Sequence, residues 1–85
     1  MSDFKRHLHK GFVVEAAAKQ ENGKSYFVIS LKRMSVSNEL IEQVSLKYLK
    51  TNYNGARATV AKMAEADFIR AYELLIKEID IRTKK

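Results

Sequence analysis

Cysteine and proline are both absent from the 85-residue sequence. Without cysteine the chain can form neither disulfides nor thiolate metal sites, so its fold must depend on apolar contacts within the chain or with a second copy. Without proline there is no rigid linker and no slowly isomerising X-Pro bond. A chain of this length is expected to form one domain, residues 1–85, close to the smallest size at which a single core supports a fold.

Long apolar runs and targeting signals are also absent. The N-terminal segment MSDFKRHLHKG is too polar for a signal peptide. The longest apolar runs, such as Phe12-Val13-Val14, fall far short of the roughly 20 residues that a membrane span requires. We therefore predict a cytoplasmic protein that has no membrane partner.

Side chains suited to catalysis are scarce. His7 and His9 are the only histidines, and Asp3 is the one carboxylate near them. A His-x-His pair on a strand could bind a metal together with Asp3, but no second ligand cluster exists. Residues 1–10 are better interpreted as an exposed basic arm, with a strand or a helix turn as alternatives. Because triad spacings and phosphate-binding glycine loops are also lacking, we predict a non-enzymatic protein without metal or cofactor.

Positive charge is present and unevenly distributed. The formal net charge is +6 and the sequence pI is about 9.7. Residues 1–35 contain seven Lys or Arg and three acids. Residues 43–64 contain four Lys or Arg and no acid, and residues 65–85 contain five Lys or Arg and five acids. A basic surface of this kind favours an anionic partner, either nucleic acid or an acidic protein.

The clearest structural pattern is a β-hairpin over residues 11–34. Asn22-Gly23 supplies the two positive φ angles of a type I′ turn, which joins paired strands well. This turn fixes the register and gives one nearly continuous apolar face, with the opposed pairs Val14–Leu31, Ala16–Ile29 and Ala18–Phe27. The other face carries Lys19, Tyr26 and Lys32.

Residues 35–85 are predicted to be helical. Ser37 or Asn38 can cap a first helix near residues 38–52, which has two apolar stripes. The alternative is a second hairpin around Asn54-Gly55, because Val44, Leu46 and Tyr48 also alternate. A long second helix near residues 57–82 carries apolar residues at helical spacing.

The predicted fold class is therefore a small two-layer α+β domain in the order β-β-α-α. The apolar face of the hairpin is expected to pack on the long helix. The predicted core consists of Phe12, Val14, Phe27, Ile29, Leu31, Leu40, Val44, Phe68, Leu75 and Ile79.

Two patches combine cations with tyrosines, as contact with phosphates and bases requires. The first is Lys19, Tyr26 and Lys32 on the hairpin. The second lies in the stretch KYLKTNYNGAR and consists of Lys47, Lys50, Tyr53 and Arg57. Because no sequence-reading motif is evident, we predict a small protein that binds nucleic acid mainly through electrostatic contacts.

A second hypothesis is a protein-interaction module with no nucleic-acid role. The first predicted helix has more apolar surface than one neighbour needs, and either hairpin strand would be an open sheet edge. These features predict a homodimer or a complex with a larger, acidic protein partner.

Overall fold

The computed structural model describes residues 3–83, which form a four-stranded sheet followed by two helices. The elements are β1 Phe4–His9, β2 Phe12–Glu21, β3 Lys24–Met34, β4 Leu40–Lys50, α1 Tyr53–Ala61 and α2 Glu65–Thr83. The strands are antiparallel and lie in the spatial order β1-β2-β3-β4, so β1 and β4 are the edges. The predicted α+β class is confirmed.

The predicted hairpin forms the middle of this sheet. Asn22 and Gly23 have φ angles of 52° and 77°, as a type I′ turn requires. β2 and β3 pair in the predicted register, with Val14 opposite Leu31. The description of an N-terminal hairpin alone is only partly right, because a further strand pairs with each side of it.

The first added strand, β1, lies within the segment that was interpreted as an arm. Lys10 and Gly11 have φ angles of 51° and 80° and form a second tight turn, with His9 opposite Phe12. Lys-Gly is a weaker turn signal than Asn-Gly, because a lysine is sterically disfavoured at positive φ. Residues 4–9 thus form a strand, which is one of the alternatives for residues 1–10, and not an arm.

The predicted first helix near residues 38–52 is wrong, because residues 40–50 form β4. Val44 is buried and Leu46 packs against the core, whereas Ser45 and Lys47 are exposed. This alternation has a period of two and fits a strand. The strand forms because β3 offers a long edge whose hydrogen-bonding groups β4 satisfies.

Ser37 and Asn38 do not cap a helix but lie in the loop between β3 and β4. The Ser35 N–H donates to the Glu39 carbonyl over 2.8 Å, and the Ser35 hydroxyl accepts from the Glu39 N–H over 3.0 Å. Asn38 has a φ of 63°, a conformation that asparagine tolerates better than most residues. These polar residues therefore stabilise a turn.

The alternative of a second hairpin is right that Val44, Leu46 and Tyr48 alternate on a strand, which is β4. Its turn is wrong, because Asn54 and Gly55 lie in the first turn of α1. Asn52 is the N-cap, and its side-chain oxygen accepts from the Gly55 N–H over 2.7 Å. The chain leaves the helix after Ala61 and begins α2 at Glu65. The single long helix predicted for residues 57–82 is thus two helices.

The core lies between the helices and one face of the sheet. Eight of the ten predicted core residues are buried there, and Phe12 packs against them while partly exposed. The assignment of Leu40 to the core is wrong, because this residue begins the edge strand β4 and is 52% exposed.

The Lys5 ammonium joins the sheet to the helical layer by donating to the carbonyls of Ala61 and Met63 over 2.8 and 3.2 Å. A cation at the C-terminal end of α1 is favoured by the helix dipole.

Candidate nucleic-acid interface

The face of the sheet that points away from the helices is called here the outer face. Because side chains alternate along a strand and the registers align them across strands, its members follow from the pairing. They are Phe4, Arg6 and Leu8 of β1; Val13, Glu15, Ala17, Lys19 and Glu21 of β2; Lys24, Tyr26, Val28, Ser30 and Lys32 of β3; and Gln43, Ser45, Lys47 and Leu49 of β4.

Tyr26 is an aromatic side chain surrounded by cations on this face. Lys19 lies directly opposite it on β2. From β4, the Lys47 ammonium lies 5.1 Å from the centre of the Tyr26 ring, within the range of a cation–π interaction. Tyr26 is half-buried, so its neighbours restrict the position of its side chain.

Lys47 also forms an ion pair with Glu21 over 2.7 Å. The hydrogen bond between them lowers the pKa of Glu21 and raises the pKa of Lys47. The pair holds Lys47 beside the tyrosine.

A groove of about 740 Å³ occupies the opposite end of the outer face, away from the Asn22-Gly23 turn. Its apolar lining comes from Leu8, Val13 and Met34, and its charged lining from Arg6, Glu15 and Lys32. Lys32 and Glu15 form an ion pair over 2.7 Å and are mostly shielded from solvent. The groove therefore combines an apolar surface with charged groups that can hydrogen-bond a ligand.

The charges of the outer face are predominantly positive. Its cations are Arg6, Lys19, Lys24, Lys32 and Lys47, and its acids are Glu15 and Glu21. Each acid is ion-paired with a lysine. Within residues 3–83 no ion pair involves Arg6, Lys19 or Lys24, so these three cations are available to an anionic ligand.

The remaining predicted residues lie elsewhere. Lys50 is at the end of β4, on the side that faces the helices. Tyr53 begins α1, where its hydroxyl donates to Asp3 over 3.5 Å, and the Arg57 guanidinium lies 5.9 Å from the Tyr53 ring. The structure thus places four of the seven predicted site residues on the outer face, with Lys19, Tyr26 and Lys47 together at one end and Lys32 in the groove at the other. The other three lie away from this face.

The two histidines have structural contacts. His7 stacks on Phe68 with ring centres 5.6 Å apart, and His9 meets the edge of Tyr72 at 4.6 Å. These contacts hold β1 against α2. In the part of the chain that the structure describes, no three His, Cys, Asp or Glu side chains lie close enough together to hold a metal ion.

The sequence interpretation missed Lys24 of β3 and two outer-face residues of β1. Phe4 is 47% exposed, and Arg6 lines the groove. Both lie in β1, which was interpreted as an arm. The alternation of Phe4, Arg6 and Leu8 and the Lys10-Gly11 turn are the signals that could have identified them.

Comparison with known proteins identifies no relative of this chain. No protein-family model, no curated protein and no solved structure matches the chain.

Neither helix, over the residues described, combines the length and apolar character needed to cross a membrane.

Proposed function

We propose that this protein binds single-stranded nucleic acid on the outer face of its sheet and catalyses no reaction. The observation that carries the proposal is the position of Tyr26 between Lys19 and Lys47 on a sheet face that no helix covers. Aromatic rings on an open sheet stack with bases, and nearby cations neutralise phosphates.

The charge distribution supports the outer face over the surface of α2. The outer face carries five cations and two acids. α2, Glu65–Thr83, contains five acids and three bases. An anionic ligand is therefore attracted more to the outer face than to α2.

The shape of the site favours single strands over a duplex. Reading a duplex usually requires a helix or ribbon that projects into a groove, but both helices pack against the inner face of the sheet. The cations extend from Lys24 near one hairpin turn to Lys32 in the groove, a span of roughly 27 Å along the strands. An extended strand can follow this path, with one base on Tyr26 and another against the apolar part of the groove.

The test is a fluorescence-anisotropy titration of labelled single-stranded DNA, single-stranded RNA and duplex DNA at two salt concentrations. The variant is Lys19→Gln/Lys24→Gln, which removes two cations from the outer face. The matched control, Lys62→Gln/Lys77→Gln, changes the net charge equally at exposed positions outside that face. We expect the first variant to weaken single-strand binding about tenfold and to make the salt slope shallower by about 1.4, since each phosphate contact contributes about 0.7.

The control separates site binding from attraction by net charge. It should keep nearly all of the affinity and the original salt slope. Equal losses in the two variants would show that the outer face is not the binding site. If no nucleic acid binds at low salt, the proposal fails.

In that case the second candidate function, a protein-interaction module, takes its place. It is favoured by the exposed apolar side chains Leu40, Ile41 and Leu49 on the edge strand β4.

A further inference from the structure

β4 is a long strand that pairs on one side only. It has 11 residues and pairs with β3, and no other strand among residues 3–83 lies beside it. The backbone N–H and C=O groups on its open side need partners, either water or another strand. A long exposed edge of this kind is a template for pairing with a second chain.

The other edge, β1, is shorter than β4 and carries two adjacent cations. It is six residues long and includes the cations Lys5 and Arg6. Short and charged edges resist association with another strand. Both edges expose apolar side chains, Phe4 and Leu8 on β1 and Ile41 and Leu49 on β4, but β4 offers nearly twice the length for pairing.

We infer that two copies of this chain pair through β4, antiparallel and about a two-fold axis at Ser45, to form one eight-stranded sheet. In this register Gln43 of each copy lies opposite Lys47 of the other, and Ile41, at the irregularity in the pairing of β4 with β3, lies near Leu49. No two like charges meet across the axis.

The symmetry has a consequence for the outer face. A two-fold axis perpendicular to the sheet keeps the outer faces of both copies on the same side. The two basic surfaces would then be continuous across the dimer. The dimer itself does not depend on nucleic-acid binding and can be tested without a ligand.

The first test uses the absence of native cysteine. In Ser45→Cys the two thiols lie opposite each other, with Cα atoms about 4.5–5.5 Å apart in an antiparallel pair, a distance that a disulfide can bridge. With oxidised glutathione we expect rapid and nearly complete cross-linking. The control Ser37→Cys is the same change in the exposed β3–β4 loop, and it should cross-link slowly. Equal rates for the two variants would overturn the register and the proposed axis.

The second test needs no covalent bond and compares one leucine on each edge. Leu49 and Leu8 are similarly exposed, at 64% and 66%, on β4 and β1. Sedimentation equilibrium should show a dimer for the native chain and for Leu8→Lys. Leu49→Lys should weaken the dimer roughly tenfold, because each altered cross-strand contact occurs twice. A monomeric native chain at high micromolar concentration, or equal effects of the two changes, would overturn the inference.

Discussion

Tyr26 and Phe27 are neighbours in the chain, yet they lie on opposite faces of the sheet. Phe27 is buried in the core and stacks on Tyr48 with ring centres 6.1 Å apart, whereas Tyr26 stands among lysines on the outer face. The helices cover one face and leave the other open. The comparison indicates that residues of the inner face form the core with the helices, whereas the outer face is the side of the sheet on which we propose binding.

The largest effect that this comparison predicts is on stability. Phe27→Ala should lower the free energy of unfolding by about 3–5 kcal/mol, because it removes a buried ring and leaves a cavity. For a domain of this size that is a large part of the total stability. Urea denaturation followed by circular dichroism measures the change. An unchanged midpoint would show that the inner face does not carry the core.

Tyr26→Ala should weaken binding more than it lowers stability. Loss of the ring should weaken single-strand binding by about 1–3 kcal/mol, the usual contribution of one stacked base. Its effect on unfolding should be clearly smaller than that of Phe27→Ala, since Tyr26 is only half-buried. Anisotropy titrations and urea denaturation of both variants provide the measurement. If Tyr26→Ala destabilises the fold as much as Phe27→Ala does, the distinction between the faces is lost.

The smallest effect concerns the start of α2, which lies away from the outer face. The Asp67 carboxylate accepts from the Ala64 N–H over 2.9 Å and pairs with Arg70, and the first of these contacts is the larger cause of its lowered pKa. A lowered pKa in the folded state stabilises the fold above the unfolded value of about 3.9. That stabilisation is lost as the pH falls through the folded pKa.

Asp67→Asn should therefore be less stable than the native chain at neutral pH, and the difference should shrink below about pH 4. Thermal unfolding at neutral and acidic pH measures it. Single-strand binding at neutral pH should not weaken, because Asp67 contributes negative charge on the far side of the molecule. A difference in stability that grows on acidification would contradict the assigned role of the carboxylate.

Local sequence signals predicted the centre of the sheet well. Asn22-Gly23 has few alternatives to a type I′ turn, and the alternation on both sides of it supports the same register. Lys19, Tyr26 and Lys32 were therefore placed correctly on one face. The edges were harder to predict because residues 40–50 fit both a two-striped helix and a strand. The choice between them depends on β3, which is distant in sequence and offers the pairing edge.

The candidate site was partly hidden for the same reason. Lys47 lies beside Tyr26 only because β4 is a strand. Because that strand ends at Lys50 and α1 begins at Tyr53, the residues Lys50, Tyr53 and Arg57 lie away from Lys47. Placing Arg6 on the outer face likewise depends on β1 being a strand. Contacts between elements, rather than any local motif, decide which cations share a surface.

The most direct test of the proposed interface is a map of amide chemical-shift changes on titration with a single-stranded oligonucleotide at low salt. We expect the largest changes at outer-face positions, including Lys19, Tyr26, Lys32 and Lys47, and negligible changes along α2 at Glu73 and Lys77. Changes centred instead on Tyr53 and Arg57, on α2, or on no residue at all would contradict binding by the outer face of the sheet.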